Sequence, residues 1–346
     1  MDLPQQRDEA VLAAIEERRE AVNEAIREEL QIQEPERLYE ASRYLLDAGG
    51  KRLRPALLLL VAESLADVDP ESVSYRSFPT LDGDEIDLIR AAVSIEVIQS
   101  FTLIHDDIMD QDDLRRGVPA VHAEYDLATA ILAGDTLYSK AFEIMLASGA
   151  SPDRSLDALQ VLAETCTMIC EGQAMDIGFE GRHDVTVEEY RQMIMRKTAV
   201  LFSAAARVPA ILMGAEQSVI DALGQYGLQV GEAFQIHDDV LDLVGSSENL
   251  GKERGSDLRE GKRTIISIHA TQHGVDLDAL VNEMGNEPDA IESVVAELDR
   301  VGSLDHAKAV ADQLVNDGTA ALSVLPENRS GALLNELARY LIEREY

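Results

Sequence analysis

Apolar residues recur at intervals of three and four along most of this chain, the spacing that places them on one face of an α-helix. The pattern predicts helices over Val11–Leu30, Leu38–Leu46, Pro55–Leu65, Ile86–Ile108 and Tyr125–Leu146. It continues over Leu156–Ile177, Val187–Met213, Val219–Val244 and Ile265–His273, and in several later segments. No stretch alternates as a half-buried strand does. Thr186, with Glu189 three residues on, reads as a capping box that starts a helix. The acidic, proline-containing stretch Asp67–Asp87 reads as a surface loop, and no Pro/Gly/Ser-rich linker divides the chain. The expectation is one all-α domain over residues 1–346, with long helices around a central cavity.

Within these helices one heptapeptide occurs twice. Ile104-His105-Asp106-Asp107-Ile108-Met109-Asp110 returns as Ile236-His237-Asp238-Asp239-Val240-Leu241-Asp242. Each copy sets carboxylates at i, i+1 and i+4, and the first and third lie about 40° apart on one helix face. Two such faces from two facing helices would make an oxygen-rich cleft suited to Mg²⁺ carrying a phosphorylated substrate. Solvated acidic faces would not explain the apolar lead-ins Ala91–Ile104 and Val230–Ile236, which read as buried.

Composition narrows the reading. The 346 residues are 46% hydrophobic and carry a net charge of −35, which argues against nucleic acid and anionic membranes as partners. Neither Leu57–Leu65, too short, nor Ala199–Met213, interrupted by Arg207 and Pro209, reads as a membrane span. So much self-repelling charge suggests a salt-rich, halophilic cytosol. Cys166 and Cys170, the two cysteines, read as buried free thiols in a reducing, cytoplasmic compartment.

Against this acidity there are six lysines, and four of them (Lys51, Lys197, Lys252 and Lys262) sit in basic or glycine-flanked motifs. Gly49-Gly50-Lys51-Arg52-Leu53-Arg54-Pro55 brings Lys51 and Arg54 to i, i+3, and Arg115-Arg116-Gly117 follows the first aspartate unit. Guanidinium forks match phosphate oxygens and stay charged at any working pH. After the second unit, Gly251–Lys262 forms a glycine-punctuated loop with two lysines and Asp257, suited to covering a diphosphate. Two carboxylate clusters and three cationic clusters imply two anionic substrates.

These motifs, with Gly172-Gln173 and Lys197-Thr198, resemble in order those of the trans-isoprenyl diphosphate synthases, over roughly residues 40–270. The resemblance implies a Mg²⁺-dependent prenyltransferase with three Mg²⁺ per site, working as a homodimer. Asp106, Asp110 and Asp238 would be the main metal ligands, with Asp107, Asp239 and Asp242 in support. Arg115, Lys197 and Lys262, with Lys252 nearby, would hold an allylic diphosphate, and Thr198, Phe234 and Gln235 would line the reacting carbons. Lys51, Arg54, Arg116 and Gln99 would hold isopentenyl diphosphate; many relatives carry His where this chain has Gln99. His105 and His237 are expected either to orient carboxylates or to pack in the core. The C-terminal Arg344-Glu345-Tyr346 does not match the basic tail that some relatives fold over isopentenyl diphosphate.

Phe101 lies five residues before Asp106, about 7.5 Å along the helix away from the metal end. Its ring, followed by the small Thr102, would stop the growing chain at the cavity floor. In the family such a single aromatic resembles archaeal-type enzymes making geranylgeranyl diphosphate, twenty carbons long. The alternatives are a farnesyl or longer-chain polyprenyl synthase. A terpene cyclase would have no need of Lys51 and Arg54, a squalene-type synthase should lack the Gly-Lys loop, and a regulatory subunit should have lost carboxylates or lysines.

Overall fold

The amphipathic repeats become long helices in the computed structural model, which describes residues 3–245, 254–277, 279–280 and 290–344. They run α1 (Leu3–Glu29), α2 (Glu36–Asp47), α3 (Leu53–Ala66), α4 (Leu88–Met109), α5 (Val121–Glu124), α6 (Leu127–Leu146), α7 (Pro152–Phe179), α8 (Val187–Ile194), α9 (Val200–Met213) and α10 (Gln217–Val244). Then come α11 (Ser256–Arg259), α12 (Ile265–Gln272), α13 (Ala290–Arg300), α14 (Ser303–Ala320) and α15 (Arg329–Glu343). The fold is all-α, as expected.

Four departures from the sequence reading have local causes. The helix expected from Tyr125 starts at Leu127, because the Asp126 side chain accepts from Thr129 N at 2.8 Å and caps it there. The helix expected over Val187–Met213 is interrupted by a π-helical turn, Met195–Ala199, although its Thr186/Glu189 capping box is present. The Asp67–Asp87 stretch holds two single-turn 3₁₀ helices and a two-residue ladder pairing Phe78–Pro79 with Glu85–Ile86. A second ladder pairs Leu114–Arg115 with Val118–Pro119. Strands of two residues leave no alternation to read.

The described residues fall into two compact units. The first comprises Met1–Cys166, Leu201–Gly224 and Leu322–Leu337; the second comprises Thr167–Val200, Gln225–Ala321 and Ala338–Tyr346.

In the first unit α4 is apolar all round and packs against α1, α2, α3 and, most extensively, α6. By length and composition α4 is apolar enough to cross a membrane, but 72% of that stretch is buried inside the protein. Its apolar lead-in to the first aspartate unit is therefore core, as the sequence implied. Gly134 on α6 admits the His105 ring, whose Nε2 donates to Ile131 O at 3.2 Å, so this histidine ties α4 to α6.

In the second unit the lead-in to the second aspartate unit is likewise buried, with Val230, Ala233 and Ile236 inaccessible. Among the described residues α12 lies against α14 and α8. The cysteines differ: Cys166 is buried as expected, but Cys170 is exposed. It shares an outward stripe of α7 with Thr167 and Ala174, at helical spacing.

Candidate active site

The first aspartate unit occupies the last turns of α4. Asp106 is half-buried and Asp110 exposed, while Asp107, turned about 100° from Asp106, is fully buried. Asp107 accepts from Arg115 Nε at 2.6 Å, and Arg115 also reaches Asp112 Oδ2 at 2.9 Å. Burial pushes the Asp107 carboxyl up against the opposing pull of Arg115. Burial also works against the Arg115 charge, but its bond to Asp107 and the charges of Asp107, Asp112 and Asp106 outweigh it and hold the pKa up. Asp107 thus fixes a permanently charged guanidinium beside its neighbours.

The Arg116-Gly117 turn between the two short strands has φ of +54° and +77°, the left-handed pair of a type I′ hairpin. A side chain tolerates that backbone when its own bonds compensate. Arg116 Nη1 donates to Leu45 O at 2.9 Å and to Gly49 O, and Nη2 meets Glu96 Oε1 at 3.4 Å. A Cβ at Gly50 would lie 2.9 Å from Arg116 Cζ, so the glycine is what admits the guanidinium. Arg116, expected to hold isopentenyl diphosphate, thus ties its hairpin turn to the Gly49-Gly50 segment that precedes Lys51. The buried Arg52 donates to the same Glu96 oxygen at 2.6 Å, to Asn23 and to Leu46 O. Lys51 is exposed, Gln99 half-buried, and Arg54 lies 4.3 Å over the Phe202 ring. Glu96, a lone acid in an apolar run, organises this corner, and that isolation was its one sequence signal.

Phe101 is 9% exposed. Its ring meets His105 edge-on at 5.0 Å and Tyr138 at 5.3 Å, and Tyr138 meets Phe142 at 5.2 Å. Thr102 turns its hydroxyl to Gln99 O at 2.8 Å.

In the second unit the π-helical turn carries Lys197 and Thr198. A Cβ at Gly172 would stand 2.4 Å from Lys197 N, so the Gly172-Gln173 pair lets α7 press directly on this turn. Lys197 Nζ donates to Asp176 at 2.6 Å. Gln173 is 6% exposed, and both of its amide atoms are buried without a hydrogen-bond partner. The chain of bonds continues from Thr198 Oγ1 to Gln235 Oε1 (2.8 Å) and from Gln235 Nε2 to Asp239 Oδ1 (3.0 Å), with Tyr190 OH donating to Asp239 Oδ2 (2.5 Å). Burial, then the charge of Asp257, pushes the Asp239 carboxyl up to about 8.

Asp238 is half-buried, whereas Asp242 is 1% exposed. Asp242 was expected among the metal ligands, yet it accepts from Ser256 Oγ at 2.9 Å and Asp257 N at 3.2 Å. Ser256 and Asp257 are thereby held against this helix face. Lys262 pairs with Glu260 at 2.9 Å and Asp257 at 3.6 Å. Lys252 lies outside the described residues. His237 Nε2 donates to Arg344 O at 2.9 Å, the Arg344 guanidinium pairs with Asp238, and Arg344 Cζ lies 4.3 Å over the Phe234 ring. The roles of Asp176, Tyr190 and Arg344 had no signature in the sequence reading.

Asp106 and Asp238 are half-buried and Asp110 is exposed, whereas Asp107, Asp239 and Asp242 are buried. Among the described residues no group of three His, Cys, Asp or Glu side chains is gathered tightly enough to hold a metal ion alone. Mg²⁺ takes one or two carboxylates and completes its shell with water and substrate phosphate. The buried Asp107 Oδ2 has no hydrogen-bond partner, and it is an oxygen of the kind a hard cation takes.

The chain is similar to proteins of known family. A family model described as polyprenyl synthetase matches residues 35–299. The geranylfarnesyl diphosphate synthase of Natronomonas pharaonis is 62% identical over 336 residues, covering 97% of this chain and 98% of that protein. The geranylgeranyl diphosphate synthase of Methanosarcina mazei is 48% identical over 332 residues, covering 96% and 97%. The solved geranylgeranyl pyrophosphate synthetase of the archaeon Geoglobus acetivorans superposes with a TM-score of 0.83 at 43% identity, over 96% of this chain and 99% of that one.

Proposed function

From the premise that the chain belongs to the polyprenyl synthetase family and is a prenyltransferase, we propose that it condenses isopentenyl diphosphate head-to-tail with dimethylallyl, geranyl or farnesyl diphosphate. The product is geranylgeranyl diphosphate, twenty carbons long, and diphosphate is released.

Asp106, Asp110 and Asp238 would hold Mg²⁺, and both aspartate units would serve one leaving diphosphate. The metal, when bound, supplies Lewis-acid stabilisation of the charge that develops on the departing oxygens. Arg115, kept charged by Asp107, joins Lys197 and Lys262 on the allylic diphosphate, with Lys252 completing the set. Fixed cations aimed at developing charge are the largest catalytic contribution, each worth about 4 kcal/mol at 4 Å and effective ε near 20. Lys51 and Arg54, beside Gln99, hold isopentenyl diphosphate, and Arg116, Arg52 and Glu96 fix the loop that presents them. Thr198, Gln235 and Phe234 line the reacting carbons. The allylic C–O bond breaks, the isopentenyl double bond forms the new C–C bond, and the proton lost from the carbon beside the resulting cation passes to the released diphosphate.

The single observation carrying the product length is the ring contact of Phe101 with Tyr138, with Phe101 five residues before Asp106 on α4. A twenty-five-carbon product is the second reading, favoured by the name of the 62%-identical relative. Purified protein incubated with Mg²⁺, isopentenyl diphosphate and farnesyl diphosphate decides between them by chromatography. A twenty-carbon end product is expected; accumulation of twenty-five carbons would overturn the length assignment, and no prenyl product would overturn the whole reading.

The exposed side chains Leu127, Ile131, Leu132 and Leu146 make α6 a surface that suits a second copy of this chain, hence a homodimer. The acidity suits a salt-rich cytoplasm.

A further inference from the structure

The second aspartate unit already has a cation on it. Arg344 is 9% exposed, and among the described residues Asp238 is the acceptor of its guanidinium. Two further contacts fix it there. Its Cζ sits 4.3 Å over the Phe234 ring, one turn before Asp238 on the same helix, and its carbonyl accepts from the buried His237 at 2.9 Å. A carbonyl only accepts, so His237 Nε2 carries the proton. The segment is thus held through its backbone, independently of the guanidinium, while Arg344 Nε is buried without a partner.

A fully committed structural arginine spreads its donors over several acceptors, as Arg52 does on Glu96, Asn23 and Leu46 O. Arg344 instead meets one carboxylate, and that carboxylate is the accessible one of its unit.

We propose that Arg344 is a resident counter-cation of the second aspartate unit, seated on Phe234 and anchored by His237, which a divalent metal must displace from Asp238 before it binds. The inference rests on Asp238 being a metal ligand. It makes Arg344 a positioning residue that sets the metal concentration at which the site fills, and it gives the histidine of the second heptapeptide a purpose: holding the C-terminal backbone within reach of the acidic cluster.

The test is Mn²⁺ binding to the full chain without substrate, read as loss of the free Mn²⁺ electron paramagnetic resonance signal. Arg344→Gln should tighten binding about tenfold or more, the weight of one charge-assisted hydrogen bond. Arg344→Lys keeps the charge and should stay near the parent, and His237→Phe, which loses the anchor but keeps a ring, should tighten binding by a smaller factor. Asp238→Asn should weaken it. If Asp238→Asn weakens binding while Arg344→Gln leaves it unchanged or weaker, the counter-cation role is overturned and the metal reading stands. Unchanged binding in Asp238→Asn would instead remove Asp238 as a ligand, and the inference with it.

Discussion

Helical rotation assigns different work to adjacent aspartates. The i and i+1 positions differ by about 100°, so when Asp106 and Asp238 look outward their neighbours must turn inward. Asp107 and Asp239 are accordingly buried and spend their oxygens on Arg115 and on Tyr190 with Gln235. The same geometry sets Phe101 more than a turn behind the carboxylates, where its ring closes on Tyr138. Phe101→Ala should shift the product distribution toward longer prenyl chains, measured by chromatography of the hydrolysed products; an unchanged distribution would take this ring out of chain-length control. Spacing was enough to find these residues because helix periodicity is local. It could not find Asp176 under Lys197 or Arg344 over Asp238, since those contacts join segments 21 and 106 residues apart. Nor could it separate the i+4 aspartates, Asp110 exposed and Asp242 covered by its returning loop.

At the scale of elements, the two heptapeptide histidines do the same kind of job with different neighbours. His105 ties α4 to α6 and His237 ties α10 to the C-terminal segment, each through a backbone carbonyl. Another histidine group joins α12 to α14: His269 stacks with His273 at 4.0 Å and with His306 at 4.4 Å, and its Nδ1 meets Ser303 Oγ at 2.9 Å. Burial, then the charges of His306 and His273, holds the His269 pKa below its ordinary value. The unfolded chain therefore takes up a proton near pH 6.5 that the folded one resists. This contribution to stability is complete above that pH and declines as pH falls through it. His306→Phe keeps a ring in the stack and removes one neighbouring charge, so its unfolding midpoint should fall less steeply between pH 8 and pH 5. Parallel curves for variant and parent would show that the stack does not titrate in this way. The π-helical turn at Met195–Ala199 was invisible in the apolar pattern, because one added residue shifts the face without breaking the run.

Across the whole molecule the net charge of −35 dominates solution behaviour. Salt shortens the range of that repulsion from about 10 Å at 0.1 M to about 3 Å at 1 M. Raising KCl through that range should raise the thermal unfolding midpoint, and an unchanged midpoint would argue against a salt-adapted protein. The fold class was legible because nearly every element is an amphipathic or apolar helix. The division into two units was not, because its boundaries fall inside α7, α9, α10, the 3₁₀ turn Ala321–Val324 and α15 rather than in a linker of distinct composition. The central claim, that both aspartate units act on one leaving diphosphate, is tested most directly by turnover of Asp106→Ala, Asp238→Ala and the double variant with isopentenyl and farnesyl diphosphates. Each single change should cost about 10²–10³-fold or more, and the double little beyond the worse single, as expected of groups acting as one assembly. Turnover retained in either single variant would contradict the account.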